Sequence, residues 1–261
     1  MGKTIAIANQ KGGVGKTTTA INLAASLAAS HKKILLIDLD PQGNATMGSG
    51  VDKNNLVHTA NDVLLHDCLA QQACLTTPCG YDLIPSNGDL TVAEVNLMGR
   101  ENRETVLLNA LKPLQNSYDF ILIDCPPALN TLTLNSLVAA DSVLVPMQCE
   151  YFALEGLAAL LSTIEQVRAS VNPRLQLEGV LRTMYDARNR LCSDVAKQLL
   201  AHFKNKVYRT VIPRNVRLAE APSHGLPAVQ YDKSSTGAIA YLILASELLG
   251  KQPVLAPAAQ A

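Results

Sequence analysis

A chain of 261 residues with 48% hydrophobic residues is long enough to bury a substantial core, and it predicts one domain over residues 1–251. Lys plus Arg and Asp plus Glu number 22 each, so the neutral chain has no overall attraction to nucleic acid or to an anionic membrane, and any such binding must come from a local patch. No apolar stretch approaches the ~20 residues that span a bilayer and no secretory signal opens the chain, which predicts a cytoplasmic protein.

Apolar runs with the length of buried parallel strands recur along the chain and alternate with segments of helical period. The predicted strands cover residues 4–9, 33–38, 81–85, 120–124, 142–146, 177–183 and 207–211. The predicted helices cover 17–30, 89–111, 129–139, 154–171, 191–203 and 236–249, while 43–80 predict loops with a short helix at 60–66. This alternation predicts an α/β fold with a doubly wound, mostly parallel sheet flanked by helices. Residues 252–261, rich in Ala and Pro, predict a disordered tail.

The first predicted strand leads into a glycine-rich loop that opens the first helix, with the sequence Lys-Gly-Gly-Val-Gly-Lys-Thr-Thr at residues 11–18. Such a loop points backbone N–H groups and the positive end of the helix dipole at one spot, where a phosphate chain binds. Lys16 would reach the β- and γ-phosphates, and the Thr17 hydroxyl would complete the shell of a bound Mg²⁺. The predicted phosphate-binding residues are Lys11, Gly12, Gly13, Val14, Gly15, Lys16, Thr17 and Thr18.

The loop departs from the ordinary phosphate-binding pattern at one place. Gln10 stands where that pattern has its first glycine, and a second lysine, Lys11, follows it. Gly12 and Gly13 still let the backbone approach phosphate, so nucleotide binding survives the change. Lys11 adds a cation that its own loop does not need, and a solvated surface lysine is the alternative interpretation.

Three aspartates follow predicted strands. Asp124 ends a buried strand, which is the arrangement by which a phosphate-loop protein holds Mg²⁺ directly or through a water. Asp38 and Asp40 follow another strand, and one of the two can support Mg²⁺ while the other orients a water towards the γ-phosphate. Because the carboxyl ends of parallel strands meet at one edge of a sheet, these carboxylates are predicted to share a site.

The chain contains six cysteines, none of them in a C-x-x-C pair. His66, Cys68, Cys74 and Cys79 come nearest to a metal-binding pattern, but their irregular gaps match no zinc spacing. We therefore expect small, partly buried thiols that the cytoplasm keeps reduced.

Five blocks of the sequence together resemble the ParA/Soj chromosome-partitioning ATPases, within the ParA/MinD group of P-loop NTPases that have a deviant Walker A loop. The blocks are residues 11–18, 38–44, 124–127, 148–156 and 212–225, and the resemblance runs from about residue 3 to about residue 250. It implies a DNA-segregation ATPase that uses ATP and Mg²⁺, dimerises when ATP binds, and hydrolyses ATP weakly until a ParB-type partner stimulates it. Chromosome and plasmid origins both stay open.

The resemblance also implies roles for individual residues. In such proteins ATP is held between two subunits; the signature lysine, here Lys11, crosses to the phosphates of the partner, and Gly12 lets the subunits approach. Asp40 would position the attacking water, while Thr17 and Asp124 would serve Mg²⁺. The implied catalytic residues are Lys11, Lys16 and Asp40, and those on the adenine side are Met184, Pro213, Arg214 and Asn215.

The resemblance further implies DNA binding without sequence preference, by the ATP dimer alone. Arg188 and Arg217 correspond best to the arginines that contact DNA in the family, with Arg190 and Arg214 as neighbouring candidates. Phosphate contacts alone give such affinity, and a dimer doubles the patch. We expect association with the nucleoid, with a solvated surface role as the alternative for each arginine.

Two other classes of protein share this phosphate-binding loop. A MinD-like membrane-positioning ATPase would end in a basic amphipathic helix, whereas the tail after residue 250 has two prolines and one cation, so no membrane binding is expected. An iron–sulfur reductase of the nitrogenase iron-protein kind would bridge a cluster with paired cysteines, and only Cys125 lies near the expected region.

Overall fold

A computed structural model describes residues 2–250, and this part of the chain is built on one sheet. Its eight strands are β1 Lys3–Ile7, β2 Ile34–Asp38, β3 Leu75–Thr76, β4 Asp82–Ile84, β5 Phe120–Asp124, β6 Ser142–Gln148, β7 Gln176–Tyr185 and β8 Val207–Pro213. They lie in the order β3-β4-β2-β5-β1-β6-β7-β8, and all neighbours are parallel except β3 and β4. The predicted fold class, a doubly wound and mostly parallel sheet, is confirmed.

The α-helices of the described residues connect these strands. They are α1 Lys16–Ala29, α2 Asn44–Gly48, α3 Ala60–Leu65, α4 Ala70–Ala73, α5 Leu90–Met98, α6 Val106–Leu111, α7 Thr131–Ala139, α8 Ala153–Ser170, α9 Arg190–Phe203, α10 Val216–Glu220, α11 Ala228–Tyr231 and α12 Thr236–Gly250.

Helices cover both faces of the sheet, because successive strand residues point into two different cores. Ile5 and Ile7 of β1 pack into a core shared with α1 and α12, whereas Ala6 and the following Ala8 pack into a core shared with α5 to α9. Every residue of β5 is buried. A strand covered on both faces has no solvent side, which explains why its sequence is a continuous apolar run that ends in an aspartate.

The single helix predicted over residues 89–111 is wrong: two helices, α5 and α6, are present. Between them the chain passes through Asn102, whose φ of 55° is left-handed. Asn135 of α7 donates to the Arg103 carbonyl at 2.9 Å and accepts from the Leu107 N–H at 3.1 Å. A side chain from another helix thus satisfies backbone groups that an unbroken helix would pair internally, which periodicity cannot reveal.

The region 43–80 is more structured than predicted. The short helix expected at 60–66 is confirmed as α3, and the Asp62 carboxylate accepts the Thr59 N–H at 2.7 Å at its start. In addition, α2, α4 and the two-residue β3 are present, and β3 pairs antiparallel with β4. Elements of two to five residues are too short to show a period in the sequence.

The disordered tail predicted over 252–261 lies outside the described residues, and the domain boundary predicted at residue 251 stays a prediction. None of the helices between residues 2 and 250 has the length and apolar character that a membrane span needs.

Gly179 in β7 lies against β8 with no room for a side chain. A Cβ there would meet the Tyr208 ring at 2.7 Å and the Lys206 carbonyl oxygen at 2.9 Å. We expect Gly179→Ala to lower the free energy of unfolding by about 1–3 kcal/mol, because β8 would have to shift. Gly156→Ala in α8 is the matched control, since an added Cβ meets open space there. Chemical denaturation measures both, and a Gly179→Ala protein as stable as the wild type would contradict this packing.

Candidate active site

The loop between β1 and α1 exposes backbone N–H groups through two glycines. Gly13 (φ 73°) and Gly15 (φ 88°) are both left-handed, a conformation that glycine adopts without steric cost. Gly15 directly precedes α1, and among the described residues no side chain caps this helix end. The first N–H groups and the positive end of the helix dipole therefore face the loop, which is the arrangement that binds phosphate.

The loop is tied to the strands beside it. Asn9 accepts from the Lys11 N–H at 3.0 Å and donates to the Pro146 carbonyl of β6 at 2.8 Å. On the other side, the Thr183 hydroxyl of β7 donates to the Val14 carbonyl at 2.7 Å. These contacts hold the loop in shape, so its N–H groups are arranged by the folded chain itself.

Lys16 begins α1 and turns its ammonium back towards the loop. Its Nζ donates to the Lys11 carbonyl at 3.2 Å, and the residue is buried. Burial lowers the pKa of Lys16, while the negative charges of Asp124 and Asp40 favour its ammonium form. A buried cation below a ring of N–H groups strengthens the attraction of the loop for an anion.

Asp124 at the end of β5 is the most unusual group of the site. Its two carboxylate oxygens are buried, and neither makes a hydrogen bond within the described residues. Burial raises the pKa of Asp124 well above its usual value, repulsion from Asp38 adds to this, and the nearby Thr17 hydroxyl favours the charged form. Mg²⁺ takes one or two protein oxygens and keeps several waters. The carboxylate of Asp124 and the hydroxyl of Thr17 therefore fit Mg²⁺.

Asp38 and Asp40 have different surroundings. Asp38 accepts from the Thr46 N–H at 2.8 Å and from the Thr46 hydroxyl at 2.7 Å, so its carboxylate holds the start of α2. Asp40 accepts the Gln42 N–H at 3.0 Å, and its carbonyl accepts the Ser86 hydroxyl at 2.9 Å. Because the Asp38 carboxylate already accepts two hydrogen bonds from Thr46, Asp40 is the better placed of the two aspartates to contact a water.

The predicted adenine-side residues lie around one cavity of about 190 Å³, although Met184 and Pro213 are 29 positions apart in the sequence. It is lined by Gly15 and Thr18 together with Met184, Pro213, Arg214 and Asn215. The Asn215 side chain accepts the Leu218 N–H at 3.2 Å and donates to the Thr236 hydroxyl at 2.9 Å. Asn215 thus caps α10 and shapes the cavity wall, while binding of adenine there stays a prediction.

Lys11 and Gly12 face outwards from the loop. The Lys11 ammonium contacts the Glu150 carboxylate at 2.5 Å, and both side chains are nearly half exposed, at 44% and 49%. A Cβ on Gly12 would meet only the Pro127 side chain, at 4.0 Å. The packing of the chain on itself therefore does not require glycine at this position.

The two arginines predicted to bind DNA are both paired with carboxylates. Arg188 donates to Asp186 through Nε at 3.0 Å and Nη2 at 2.9 Å, and these bonds hold the pKa of Asp186 down to about 2. Arg217 contacts Glu220 at 2.7 Å and Asp232 at 3.4 Å. Arg188 follows β7 and Arg217 follows β8, so both lie at the carboxyl edge of the sheet. Arg188 is 90% exposed, whereas Arg217 also joins α10 to the segment after α11.

The cysteines do not gather into a metal site. All six thiols are free, and between residues 2 and 250 no group of three or more His, Cys, Asp and Glu side chains is placed to hold a metal ion. Burial raises the pKa of Cys125 to about 12, so this thiol stays protonated beside Asp124.

Three residues of the site were missed from the sequence. Asn9 joins the loop to Pro146 of β6, 137 positions away, and Glu150 contacts Lys11 across 139 positions. The Thr46 hydroxyl donates to Asp38, eight positions away. Asn9 and Thr46 are common polar residues outside the motifs, and the pairing of strands brings Glu150 to the loop. Glu150 does lie in the block 148–156, which carried the resemblance but no role for this residue.

A glycine loop before a helix, a buried lysine below it and an aspartate at the end of the neighbouring strand define a P-loop nucleotide-binding protein. The extra outward lysine, Lys11, places it in the class with the deviant Walker A loop.

Comparison with known proteins narrows this class. A family model described as an AAA domain matches residues 2–177. The chromosome partitioning protein ParA of Caulobacter vibrioides is 51% identical over 96% of this chain and 95% of its own length. The sporulation initiation inhibitor protein Soj of Bacillus subtilis is 51% identical over 95% of this chain and 98% of its own. The chain belongs to the ParA/Soj family of chromosome-partitioning ATPases.

Solved structures agree with the fold. A Mycobacterium smegmatis protein, crystallised as cobyrinic acid a,c-diamide synthase with bound ADP and magnesium, is 40% identical and superposes with a TM-score of 0.84, over 95% of this chain and 94% of that chain.

Asp38 makes stability depend on pH. Burial raises its pKa to about 6, so the folded chain binds more protons than the unfolded chain between about pH 4 and pH 6. The free energy of unfolding therefore falls as the pH rises through this range. Asp38→Asn removes the titrating group and keeps an oxygen that can accept from Thr46, so we expect a shallower fall. Urea unfolding in EDTA without nucleotide measures it.

Asp52→Asn, which removes an exposed aspartate in the loop after α2, is the control and should keep the wild-type slope. An equal or steeper fall in the Asp38→Asn protein would contradict the raised pKa of Asp38.

Proposed function

We propose that this protein is a DNA-segregation ATPase that is switched by dimerisation. ATP with Mg²⁺ binds in the loop, two copies pair around the nucleotide, and the pair binds DNA without sequence preference. A ParB-type partner stimulates hydrolysis and so returns the protein to its single-subunit form. We place this cycle in the cytoplasm, on the nucleoid.

The position of Lys11 is the main support for this proposal. Its ammonium lies on the outer side of the phosphate loop, beside a glycine that the chain's own packing does not require. A cation aimed away from its own loop and a neighbouring position kept free of side chain both suit the approach of a second copy. Membership of the ParA/Soj family supports the same pairing.

Within one subunit, Lys16 and the N–H groups of the loop would hold the phosphates, and Thr17 and Asp124 would hold the metal. Bound Mg²⁺ neutralises charge on the β- and γ-phosphate oxygens. Met184, Pro213, Arg214 and Asn215 would enclose adenine in the cavity beside Thr18, where the wall is already formed.

Asp40 would accept a hydrogen bond from the water that attacks the γ-phosphorus. Its backbone is held by Ser86, and Asp38 is occupied by Thr46, which leaves Asp40 for this task. Phosphoryl transfer spreads negative charge over the γ-phosphate, and cations placed around it speed the reaction. Within one subunit the loop supplies Lys16 for that purpose, so we expect slow hydrolysis until Lys11 of a second copy and the partner protein contribute.

DNA binding by a neutral chain needs a local patch that dimerisation doubles. Two weak contacts held in one assembly bind much more tightly than one, so pairing alone can switch the affinity. Arg188 is the better candidate of the two arginines because it is 90% exposed and its partner Asp186 is also at the surface. A phosphate must replace a carboxylate at each arginine, and such an exchange at the surface costs little.

DNA binding with ADP, with ATP and with a non-hydrolysable ATP analogue, at two salt concentrations, tests the function. We expect binding with ATP and the analogue alone, weakening with salt and insensitive to sequence. Arg188→Ala should weaken it and lower the slope of log affinity against log salt by about two, one phosphate contact per subunit. Binding that is equal with ADP and ATP would contradict the switch.

Arg168→Ala is the matched control, because Arg168 is also a surface arginine paired with a neighbouring carboxylate, at 2.7 Å from Glu165. It should leave DNA binding unchanged. Arg217→Ala is a less clean test, since it also removes contacts with Glu220 and Asp232. If Arg188→Ala and Arg168→Ala bind DNA equally well, Arg188 has no place in the DNA patch.

Asp40→Ala tests the catalytic assignment. We expect ATP hydrolysis to fall by about 100-fold or more, while ATP still binds and dimers accumulate. Phosphate release measures turnover, and light scattering measures the dimer. Asp52→Ala, at an exposed aspartate twelve positions along the chain, should hydrolyse ATP at the wild-type rate. Unchanged turnover in the Asp40→Ala protein would remove Asp40 from its role.

A further inference from the structure

The lysine that is proposed to act in a second subunit already has a partner in its own. Lys11 Nζ contacts Glu150 Oε2 at 2.5 Å, with the two side chains 44% and 49% exposed. Glu150 lies 139 positions away, in the connection between β6 and α8. We call this ion pair the cis latch.

Both ends of the cis latch are held by backbone contacts. On the loop side, the Asn9 side chain joins the Lys11 N–H to the Pro146 carbonyl. On the other side, the Glu150 N–H donates to the Gln148 carbonyl at 3.0 Å, and its carbonyl accepts the Ala153 N–H at 3.0 Å. Since β1 and β6 are neighbouring parallel strands, the two side chains are presented to each other by the sheet.

We propose that Glu150 restrains Lys11 in the single subunit and must release it before Lys11 can reach a triphosphate bound by a second copy. This inference rests on the proposed role of Lys11 across the dimer. Each dimer then breaks two cis latches, so Glu150 opposes pairing and sets the protein and nucleotide concentration at which it occurs.

The exposure of the cis latch suits a reversible restraint. A half-exposed ion pair is screened by water and contributes little, so it can be exchanged for a stronger contact. The terminal phosphate of ATP carries more negative charge than a carboxylate and makes stronger charge-assisted hydrogen bonds with an ammonium. ADP lacks that phosphate and offers Lys11 less in exchange for Glu150. Release of Lys11 from Glu150 therefore depends on the terminal phosphate, and the cis latch weakens the pairing that this phosphate drives.

The alternative is that Glu150 itself contacts the second copy. Next to it, Tyr151 and Phe152 are 73% and 69% exposed and pack edge to face with ring centroids 5.0 Å apart. If Glu150 helped to join two copies, its removal would weaken the dimer. The cis latch predicts that removal of Glu150 strengthens the dimer. The direction of the change in dimer affinity therefore separates the two possibilities.

Sedimentation velocity of the full chain, with Mg²⁺ and a non-hydrolysable ATP analogue over a range of protein concentrations, tests the cis latch. We expect Glu150→Gln to dimerise at a roughly 2- to 30-fold lower concentration than the wild type, because two exposed ion pairs no longer have to break. Raising the salt from about 0.1 M to about 0.5 M should narrow this difference, since screening weakens the pair in the wild type.

Glu155→Gln is the matched control. It removes the same charge from an exposed glutamate in the first turn of α8, and we expect the wild-type dimerisation constant. Lys11→Ala should stay monomeric. Thermal unfolding checks that Glu150→Gln is folded, and Glu150→Ala repeats the test if it is not.

The outcomes separate the cis latch from the proposed function. A wild type that stays monomeric with the analogue overturns the ATP dimer, and the cis latch with it. A wild type that dimerises, with Glu150→Gln equal to Glu155→Gln or weaker, overturns the cis latch alone. Tighter pairing confined to the Glu150 variants, and reduced by salt, supports it.

Discussion

Within residues 2–250, the carboxylate that is buried at the end of β5 has no hydrogen-bond partner, and the rest of the site is arranged around it. Strand register sets Asp124 directly beside Asp38 of β2, where two negative charges in a poorly solvated place repel each other. Asp38 is stabilised by hydrogen bonds from Thr46, whereas the charge of Asp124 is favoured by the nearby Thr17 hydroxyl and Lys16 ammonium. Burial of an uncompensated charge is costly, so the fold tolerates Asp124 best with Lys16 and a metal ion nearby.

The two lysines of the loop differ because their surroundings differ. Lys16 is buried, close to Asp124, and fixed under the loop, so its charge acts within one subunit. Lys11 is half exposed, and its ammonium contacts Glu150 at the surface, which suits the proposal that its charge can be exchanged. One short motif therefore contains a buried cation and a half-exposed one, and the roles proposed for them differ because of solvent exposure rather than residue type.

Much of the fold and of the site could be predicted because the signals are local. Continuous apolar runs such as 120–124 indicate strands buried on both faces, and aspartates at their ends indicate the ligand-binding edge. Met184 and residues 213–215 were placed on the adenine side by family resemblance, and they do line one cavity with Gly15 and Thr18. The break between α5 and α6 could not be predicted, because Asn135 from a separate helix satisfies the backbone there.

The sequence by itself determined the phosphate loop, the order of the longer strands and helices outside the α5–α6 segment, and the family, since each depends on neighbouring residues or on a spacing along the chain. Tertiary structure decided which aspartate is hydrogen-bonded by Thr46 and what Lys11 contacts. These are choices among similar charged groups, and they follow from where the folded chain places each partner, which no spacing in the sequence encodes. Glu150 shows this most clearly: it is one exposed glutamate among several in the sequence, and parallel pairing of β1 with β6 sets it against Lys11.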